Sequence, residues 1–201
     1  MKIHLLILAV IFSTTGCQEK SSSIKSSSNE TKILKDTVTV IQENNTDERI
    51  NNNNNRFPDL PNKSFPLVDS TNFDNYNQQI GIKNDLFFKK IQFKKDQPEI
   101  ENSRLRYQVH FSEKFQSVVI SYYQGEHELL TTLVNLDEND QIIDQLDIAY
   151  DEIAESAFRK MSSITQNKIV VEDWNHMNAE PIKTITTYQI SQEGKFKLIP
   201  Q

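Results

Sequence analysis

The sequence has few of the residues that build several common kinds of functional site. A single cysteine, Cys17, excludes a disulfide scaffold and a cysteine-rich metal knuckle. The four glycines form neither a GxGxxG nor a GxxxxGK[ST] pattern, which excludes the usual glycine-rich phosphate loops. The net charge is −6, whereas nucleic-acid-binding proteins typically carry an excess of lysine and arginine, so the charge argues against that class. A chain of 201 residues has room for one ordinary domain with appendages, not for two full domains.

Residues 1–16 have the pattern of a signal peptide. Lys2 supplies a positive start, and residues 5–12 form an apolar run that is shorter than the roughly 20 residues a membrane-spanning helix needs. Small residues then lead to Cys17 in the segment Thr14-Thr15-Gly16-Cys17. This segment resembles the lipobox of bacterial lipoproteins, with Thr14 in the place of the usual leucine. The alternative is an ordinary secretory signal followed by a chance cysteine.

The resemblance to bacterial lipoproteins implies that Cys17 is a lipidation site. It implies cleavage after Gly16, a diacylglyceryl thioether on the Cys17 sulfur and acylation of the new amino terminus. One acyl chain holds a protein only marginally, and each buried methylene adds about 0.8 kcal/mol, so two or three chains give a stable anchor. The residue after Cys17 is Gln18 and not an aspartate, and by the same resemblance this implies passage to the outer membrane of a Gram-negative cell. The periplasmic and the surface face of that membrane both stay open.

Composition divides the rest of the chain into two parts. Residues 17–63 are rich in serine, asparagine and lysine, with five consecutive asparagines at 51–55. Such a stretch cannot bury enough apolar surface to offset the ordering of the chain, so we predict a disordered tether. A short apolar island at residues 33–41 could dock as a stray strand. Residues 64–201 form the predicted globular domain.

The pattern of residues 64–201 predicts a mainly β fold with a short helix near its start. Asn84 or Asp85 is a candidate cap for a helix that continues to Ile91. Strand-like runs follow at 105–111, 117–123, 128–136, 141–150, 157–165, 168–174, 182–190 and 195–199. Because the connections are short, they can join only neighbouring antiparallel strands. The prediction is an antiparallel β-meander, either a curled sheet with the helix against it or a partly closed barrel.

The histidines do not predict a metal site. His127-Glu128 begins like the HExxH zinc motif, but Thr131 occupies the position of the second histidine. The segment also has a strand pattern, so these positions would not share a helical face. His110 and His176 fall on predicted solvent-exposed faces of separate strands, and nothing in their spacing makes them converge.

The polar turns do not predict a catalytic centre or a calcium loop. Asp137, Asn139 and Gln141 resemble the start of a calcium loop that lacks its glycine and its bidentate glutamate, and they favour a hairpin turn. Ser156 lacks the context of a nucleophile elbow. A general acid–base pair could in principle come from Asp151, Glu152 and Glu155, although exposed loop carboxylates are the expected interpretation. No catalytic residue, cofactor site or metal ligand is predicted.

The charge distribution is more informative than any motif. No lysine or arginine occurs between Lys114 and Arg159, whereas residues 126–155, the acidic interval, carry ten carboxylates: Glu126, Glu128, Asp137, Glu138, Asp140, Asp144, Asp147, Asp151, Glu152 and Glu155. One interpretation is a solvated surface that resists aggregation. The other is an electrostatic platform for a basic protein or for divalent cations. Part of the interval could also pair with the basic stretch that precedes it.

Four aromatic residues of the predicted strands are candidates for a ligand-binding face: Tyr122, Tyr123, Trp174 and Tyr188. Packing in the core or across strands is the favoured role for such residues. Trp174, at a strand end, could instead cap the sheet or stack on a sugar.

The whole chain resembles the small outer-membrane lipoproteins, without an assigned activity, of low-GC Gram-negative bacteria such as the Bacteroidota. The resemblance is carried by the lipobox, by the Ser/Asn-rich tether and by the hairpins at residues 135–144 and 191–196. It implies a lipid-anchored protein of the bacterial envelope, and it assigns a role to Cys17 alone. We therefore expect a non-catalytic interaction module. The alternatives are an inhibitor or immunity lipoprotein that neutralises a basic enzyme through the acidic interval and, third, an enzyme.

Overall fold

A computed structural model describes residues 56–97, 99–153 and 157–200, which belong to a compact unit spanning Asn51–Gln201. The predicted signal peptide, Cys17 and most of the predicted tether lie outside the described residues, as do Glu155 and Ser156. The described residues form one helix, α1 (Asp85–Lys90), and the strands Asn62–Lys63 (β1), Leu67–Asp69 (β2), Ile100–Val109 (β3), Gln116–Gln124 (β4), Glu128–Leu136 (β5), Ile142–Glu152 (β6), Phe158–Ile164 (β7), Lys168–Asn175 (β8), Ile182–Ile190 (β9) and Phe196–Ile199 (β10). None of the helical structure in these ranges is long and apolar enough to span a bilayer.

The strands form one open, mostly antiparallel sheet in the order β1-β3-β4-β5-β6-β7-β8-β9-β10. Each strand from β3 to β9 pairs antiparallel with the next strand in the chain, so the predicted β-meander is confirmed. Strand β1 adds to β3 in parallel, and β2 pairs with β7 away from the main path. Of the two closures that the sequence allowed, the sheet has the open one.

Strand β7 changes its pairing partner along its length. Strands β6 and β7 pair only at Tyr150–Lys160 and Asp151–Arg159. The other end of β7 pairs with β2 instead. The Ser162 hydroxyl spans the gap by donating to the carbonyl of Ile148, at 2.6 Å. Strands β7 to β10 can therefore leave the plane of β3 to β6 without losing the continuity of the sheet.

Both faces of the central strands are covered, because β5 is buried from Leu129 to Leu136. The helix-side core lies between the sheet and the α1 segment and contains Leu60, Phe87, Phe88, Ile91, Phe93, Leu105, Val118, Ile120, Tyr122, Leu130, Val134 and Leu136. The inner core lies on the other face and contains Tyr107, Val109, Val119, Leu133, Ile148, Ile164, Ile169 and Val171. Burial of this apolar surface is the main favourable contribution to folding.

The α1 segment is positioned by capping and by one close backbone approach. The side chain of Asn84 accepts the Phe87 N–H at 3.0 Å, so α1 begins directly after one of the two candidate caps. Phe87 and Phe88 point into the helix-side core. Before the helix, Gly81 has a φ of +99°, and a Cβ there would lie 2.5 Å from the Leu105 carbonyl oxygen. Only glycine fits this position without a shift of the backbone.

The packed part of the chain begins before Ser64, where the composition placed the boundary of the domain. Leu60 is buried in the helix-side core, and the ring of Phe57 meets that of Phe87 edge-on at 4.9 Å. The Gln108 side-chain amide donates to the carbonyls of Phe57 and Leu60. Residues 56–63, assigned to the tether from composition, therefore belong to the folded unit. Two apolar residues in a polar stretch do not change its composition enough to be noticed.

The turns of the meander lie at two ends. The proximal end carries the turns β3–β4, β5–β6, β7–β8 and β9–β10, and the distal end carries the turns β4–β5, β6–β7 and β8–β9. Arg56, the first described residue, donates to the Asp137 carbonyl in the β5–β6 turn. The chain therefore enters the described domain at the proximal end. Strand β6, with 11 residues, extends toward the distal end over about 35 Å.

Candidate functional site

A cleft of about 210 Å³ lies at the distal end, where β6, β7, β8 and β9 come together. We call it the distal cleft, and its lining residues are Tyr150, Phe158, Arg159, Asp173, Trp174, Asn175, Ile182 and Thr184. The lining combines aromatic rings with a cation, a carboxylate and an amide. Small-molecule pockets usually measure about 300–1,000 Å³, so the distal cleft has the size for one side chain or one ring.

Strand register brings the lining residues of the distal cleft together. Arg159 on β7 lies opposite Trp174 on β8, and Trp174 lies opposite Lys183 on β9. One step further toward the distal end, Asn175 lies between Phe158 and Ile182. Directly opposed residues of antiparallel strands have side chains close enough to interact. The cleft is therefore a product of two consecutive hairpins.

Trp174 lies at the distal cleft and not in the core, so of the two favoured kinds of packing it has the one across strands. Its ring stacks on that of His176, with centroids 5.9 Å apart and planes inclined by 12°. The Lys183 ammonium lies 5.0 Å from the Trp174 ring centroid, in cation–π geometry. Trp174 is half-buried and belongs to neither core cluster of the described residues. Its polar neighbours fix the ring at the end of the strand.

Tyr150 connects the distal cleft with a pair of glutamates. Its hydroxyl lies 3.0 Å from Glu128 Oε1 and 3.1 Å from Glu152 Oε2. Desolvation first, and then the nearby Glu128 and Glu152, raise the pKa of Tyr150, so the phenol keeps its proton. Glu128 and Glu152 face each other across β5 and β6, a placement in which like charges repel. The Tyr150 hydroxyl hydrogen partly offsets this repulsion.

Several exposed apolar side chains lie around the distal cleft. Phe158, Ile182 and Met177 are 43%, 55% and 69% exposed. Ile153 is also exposed, and its N–H donates to the His127 carbonyl in the neighbouring distal turn. An apolar patch next to Trp174 is unusual for a surface that contacts only water. Tyrosine, tryptophan, phenylalanine, methionine and arginine are the residues that protein interfaces enrich.

The other candidate aromatics have structural positions. Tyr122 is fully buried in the helix-side core. Tyr123 stacks on Phe73 with centroids 5.9 Å apart, and it meets Tyr76 edge-on. Tyr188 packs against the inner core. Packing is thus the role of all three tyrosines, as predicted.

The acidic interval does not form one continuous platform, because the fold uses several of its carboxylates. Asp140 forms ion pairs with Arg56 and Lys90, and Asp147 forms one with Lys94 at 3.5 Å. Two further carboxylates accept backbone N–H groups: Asp144 from Phe196 and Asp151 from Phe73. Among the carboxylates that make no ion pair with lysine or arginine in the described residues, Glu126 and Glu138 are exposed, and Glu128 and Glu152 are half-buried.

Asp140 gives the proximal end a pH-dependent contribution to stability. Partial desolvation acts to raise the pKa of Asp140, but hydrogen bonds to Lys90 and Arg56 outweigh it and hold the pKa below its ordinary value of 3.8. A depressed pKa means that the stabilisation is present above the unfolded-state pKa and is lost as pH falls through the folded-state value. We expect Asp140→Asn to lower the free energy of unfolding by about 1 kcal/mol at pH 7.

Thermal unfolding of the two proteins at pH 7 and at about pH 2.5 would measure this effect, and the difference should be smaller at the lower pH. Asparagine tolerates the left-handed conformation of residue 140, where φ is +62°, so the backbone is not the cause of the change. Glu138→Gln, in the same turn, is the matched control and should have no effect at either pH. A difference that is as large at low pH as at pH 7 would contradict the assignment.

The remaining motifs are placed as structural features. His110, His127 and His176 are all exposed. The Asp137 carboxylate accepts the N–H groups of Asn139 and Gln141, which makes the segment a hairpin turn, as predicted. Within the described ranges no group of three or more histidines, cysteines or acids is arranged to hold a metal ion.

A second cleft, of about 440 Å³, lies among the turns of the proximal end. Its lining residues are Phe111, Ser112, Lys114, Phe115, Gln166, Asn167, Ile190, Ser191 and Gln192. Lys114 is its only charged lining residue, and the Gln166 side chain already donates to the carbonyls of His110 and Phe111. It therefore offers fewer charged recognition groups than the distal cleft, whose lining includes Arg159 and Asp173.

The sequence analysis singled out Trp174 of the distal cleft but not Arg159, Phe158 or Ile182. The signal was available in principle, since the predicted turn at residues 166–167 sets Arg159 opposite Trp174. Comparison of the chain with protein-family models, with curated proteins and with solved structures gives no match.

Proposed function

We propose that this chain is a lipid-anchored, non-catalytic interaction protein of the bacterial envelope that binds a protein partner through its distal end. The lipobox-like segment ending at Cys17 supports the anchor, and Gln18 supports the outer membrane as its location. The entry of the chain at the proximal end supports presentation of the opposite end, because the distal turns are then free of the attachment point.

One observation carries the choice of the distal end, namely the exposed Phe158, Met177 and Ile182 around a cleft that holds Trp174 and Arg159. Binding hot spots are enriched in tryptophan, tyrosine and arginine that lie in pockets within an apolar surround. The size of the cleft suits a single anchoring side chain better than a metabolite. Together these features favour a protein ligand.

Site-specific photo-crosslinking in the native envelope tests this function. A photoreactive amino acid placed at residue 158 or at residue 177 should give one discrete cross-linked species. Leu86 is the matched control, because it is an apolar residue that is 83% exposed and lies on the α1 segment. The same photoreactive group at residue 86 should not give that species.

The substitution Ile182→Asp should reduce the yield of the cross-linked species at least fivefold, since it places a charge in the apolar contact. Equal cross-linking from residues 86 and 158, or a yield that is insensitive to Ile182→Asp, would show that the distal end does not bind.

The inhibitor or immunity function is a second candidate, supported by the carboxylates that the fold leaves at the distal end. Glu126 is exposed, and Glu128 and Glu152 have no lysine or arginine ion-pair partner in the described residues. A basic hydrolase in the cross-linked species, with a yield that falls as salt concentration rises, would favour this candidate.

A further inference from the structure

Arg159 has a hydrogen-bond donor that the described residues do not use. Its Nε atom is buried and has no acceptor, although its side chain lines the distal cleft. In the described part of the chain no carboxylate lies within ion-pair distance of its guanidinium. A buried donor without an acceptor is costly, and native structures contain few of them. Arg159 therefore calls for an acceptor that lies outside the described residues.

The carboxylates around Arg159 are already engaged. Asp173 pairs with Lys160 at 3.3 Å. Glu152 accepts the N–H of Phe158 and lies within hydrogen-bond distance of the Tyr150 hydroxyl. Glu172, next to Trp174 along β8, pairs with Lys183 at 3.5 Å.

Asp151, directly opposite Arg159 on β6, is the one acid of the described residues with a buried oxygen that has no hydrogen-bond partner. Its Oδ2 atom accepts the Phe73 N–H at 2.9 Å, and its Oδ1 atom has no partner. The two opposed side chains do not meet within ion-pair distance. The guanidinium thus keeps its planar set of donors, which matches a carboxylate in bidentate geometry.

We propose that the distal cleft recognises a partner segment in which a carboxylate lies next to an apolar side chain. Arg159 binds the carboxylate, and the apolar side chain packs in the distal cleft beside Trp174. The proposal rests on the function proposed above and names the chemistry of the partner.

Trp174 allows a direct test, because it is the only tryptophan in the chain. Its fluorescence can be followed in the full chain with Cys17→Ser, which keeps every described residue and needs no detergent. The probes are N-acetylphenylalanine and its amide, which share the apolar ring and differ in the carboxylate. We expect the acid to change the emission at a concentration at least fivefold lower than the amide does.

Arg159→Gln should abolish this difference, and Arg159→Lys should reduce it, since lysine keeps the charge but not the fork of donors. Lys168→Gln is the matched control, because it removes an exposed cation at the proximal end of β8, and it should leave the difference unchanged. Melting temperatures identify a variant that has lost its fold. If Arg159→Gln has lost its fold, the test rests on the chain with native Arg159 alone. The measured quantity is then the acid-to-amide ratio, that is, the ratio of the concentrations at which the two probes change the emission.

An acid-to-amide ratio of one overturns the proposal, as does a folded Arg159→Gln protein that still distinguishes the probes. If the folded Arg159→Gln protein still distinguishes the probes and has a lowered melting temperature, then the role of Arg159 is to neutralise the charge of Asp151. Loss of discrimination between the probes while residue 158 still cross-links would remove the carboxylate chemistry and leave the proposed function standing. Discrimination between the probes without cross-linking from residue 158 would keep the carboxylate chemistry and remove the proposed function.

Discussion

Replacement of Cys17 by serine is expected to release the protein from the membrane into the soluble fraction. The sulfur of Cys17 is the only thiol of the chain, so the substitution removes the predicted attachment point and nothing else of that chemistry. Two or three acyl chains hold a protein stably, whereas a chain without them has only its polar surface in contact with the bilayer. Fractionation of cells and mass spectrometry of the amino-terminal peptide would measure the loss.

Gln18→Asp is the matched control for the anchor, because it changes the adjacent residue and keeps the thiol. The resemblance to bacterial lipoproteins implies that this protein stays lipidated and moves from the outer to the inner membrane. Recovery of mature Cys17→Ser protein, without residues 1–16, in the membrane pellet would contradict the lipid anchor. An unacylated Cys17 in the native host would do so as well.

Leu133→Ala is expected to cost the domain about 3 kcal/mol of its free energy of unfolding. Leu133 is fully buried in the inner core, and on β5 it lies between Val119 of β4 and Leu146 of β6. Truncation removes apolar burial and leaves a cavity, since three paired strands cannot close around the gap. The melting temperature should fall by about 10 °C for a domain of this size.

The matched control is Leu86→Ala, the same change at a leucine that is 83% exposed on α1. Its effect should stay within about 0.5 kcal/mol. Urea and thermal unfolding of both variants in the Cys17→Ser chain give the comparison. Equal losses at the two positions would show that β5 is not the centre of the core.

The proximal and distal ends of the domain carry different kinds of residues. The proximal end contains the entry of the chain and the ion pairs of Asp140 with Arg56 and Lys90. The distal end contains exposed apolar residues and the unused donor of Arg159. The exposed apolar residues that lie beside this unused donor are the reason to look for a partner at the distal end.

The strands could be predicted because their signals are local. Alternation of apolar and polar residues, together with turn residues such as Gly125 and Asp137, lies within a few positions of each strand end. The helix cap at Asn84 is local as well. The start of the domain was placed too late, because Phe57 and Leu60 pack only when distant residues such as Gln108 are folded beside them.

The sequence alone determined the β-meander, the hairpin at residues 137–141 and the lipobox-like segment before Cys17, since each of these depends on neighbours in the chain. Only the tertiary structure decided which acids are neutralised, because Asp140 meets Arg56 across 84 positions and Asp151 meets the Phe73 N–H across 78. It also decided that Trp174 lies in a cleft and not in the core. That position follows from the register of β7, β8 and β9 and from the separation of β7 from β6, and neither is fixed by the residues next to Trp174.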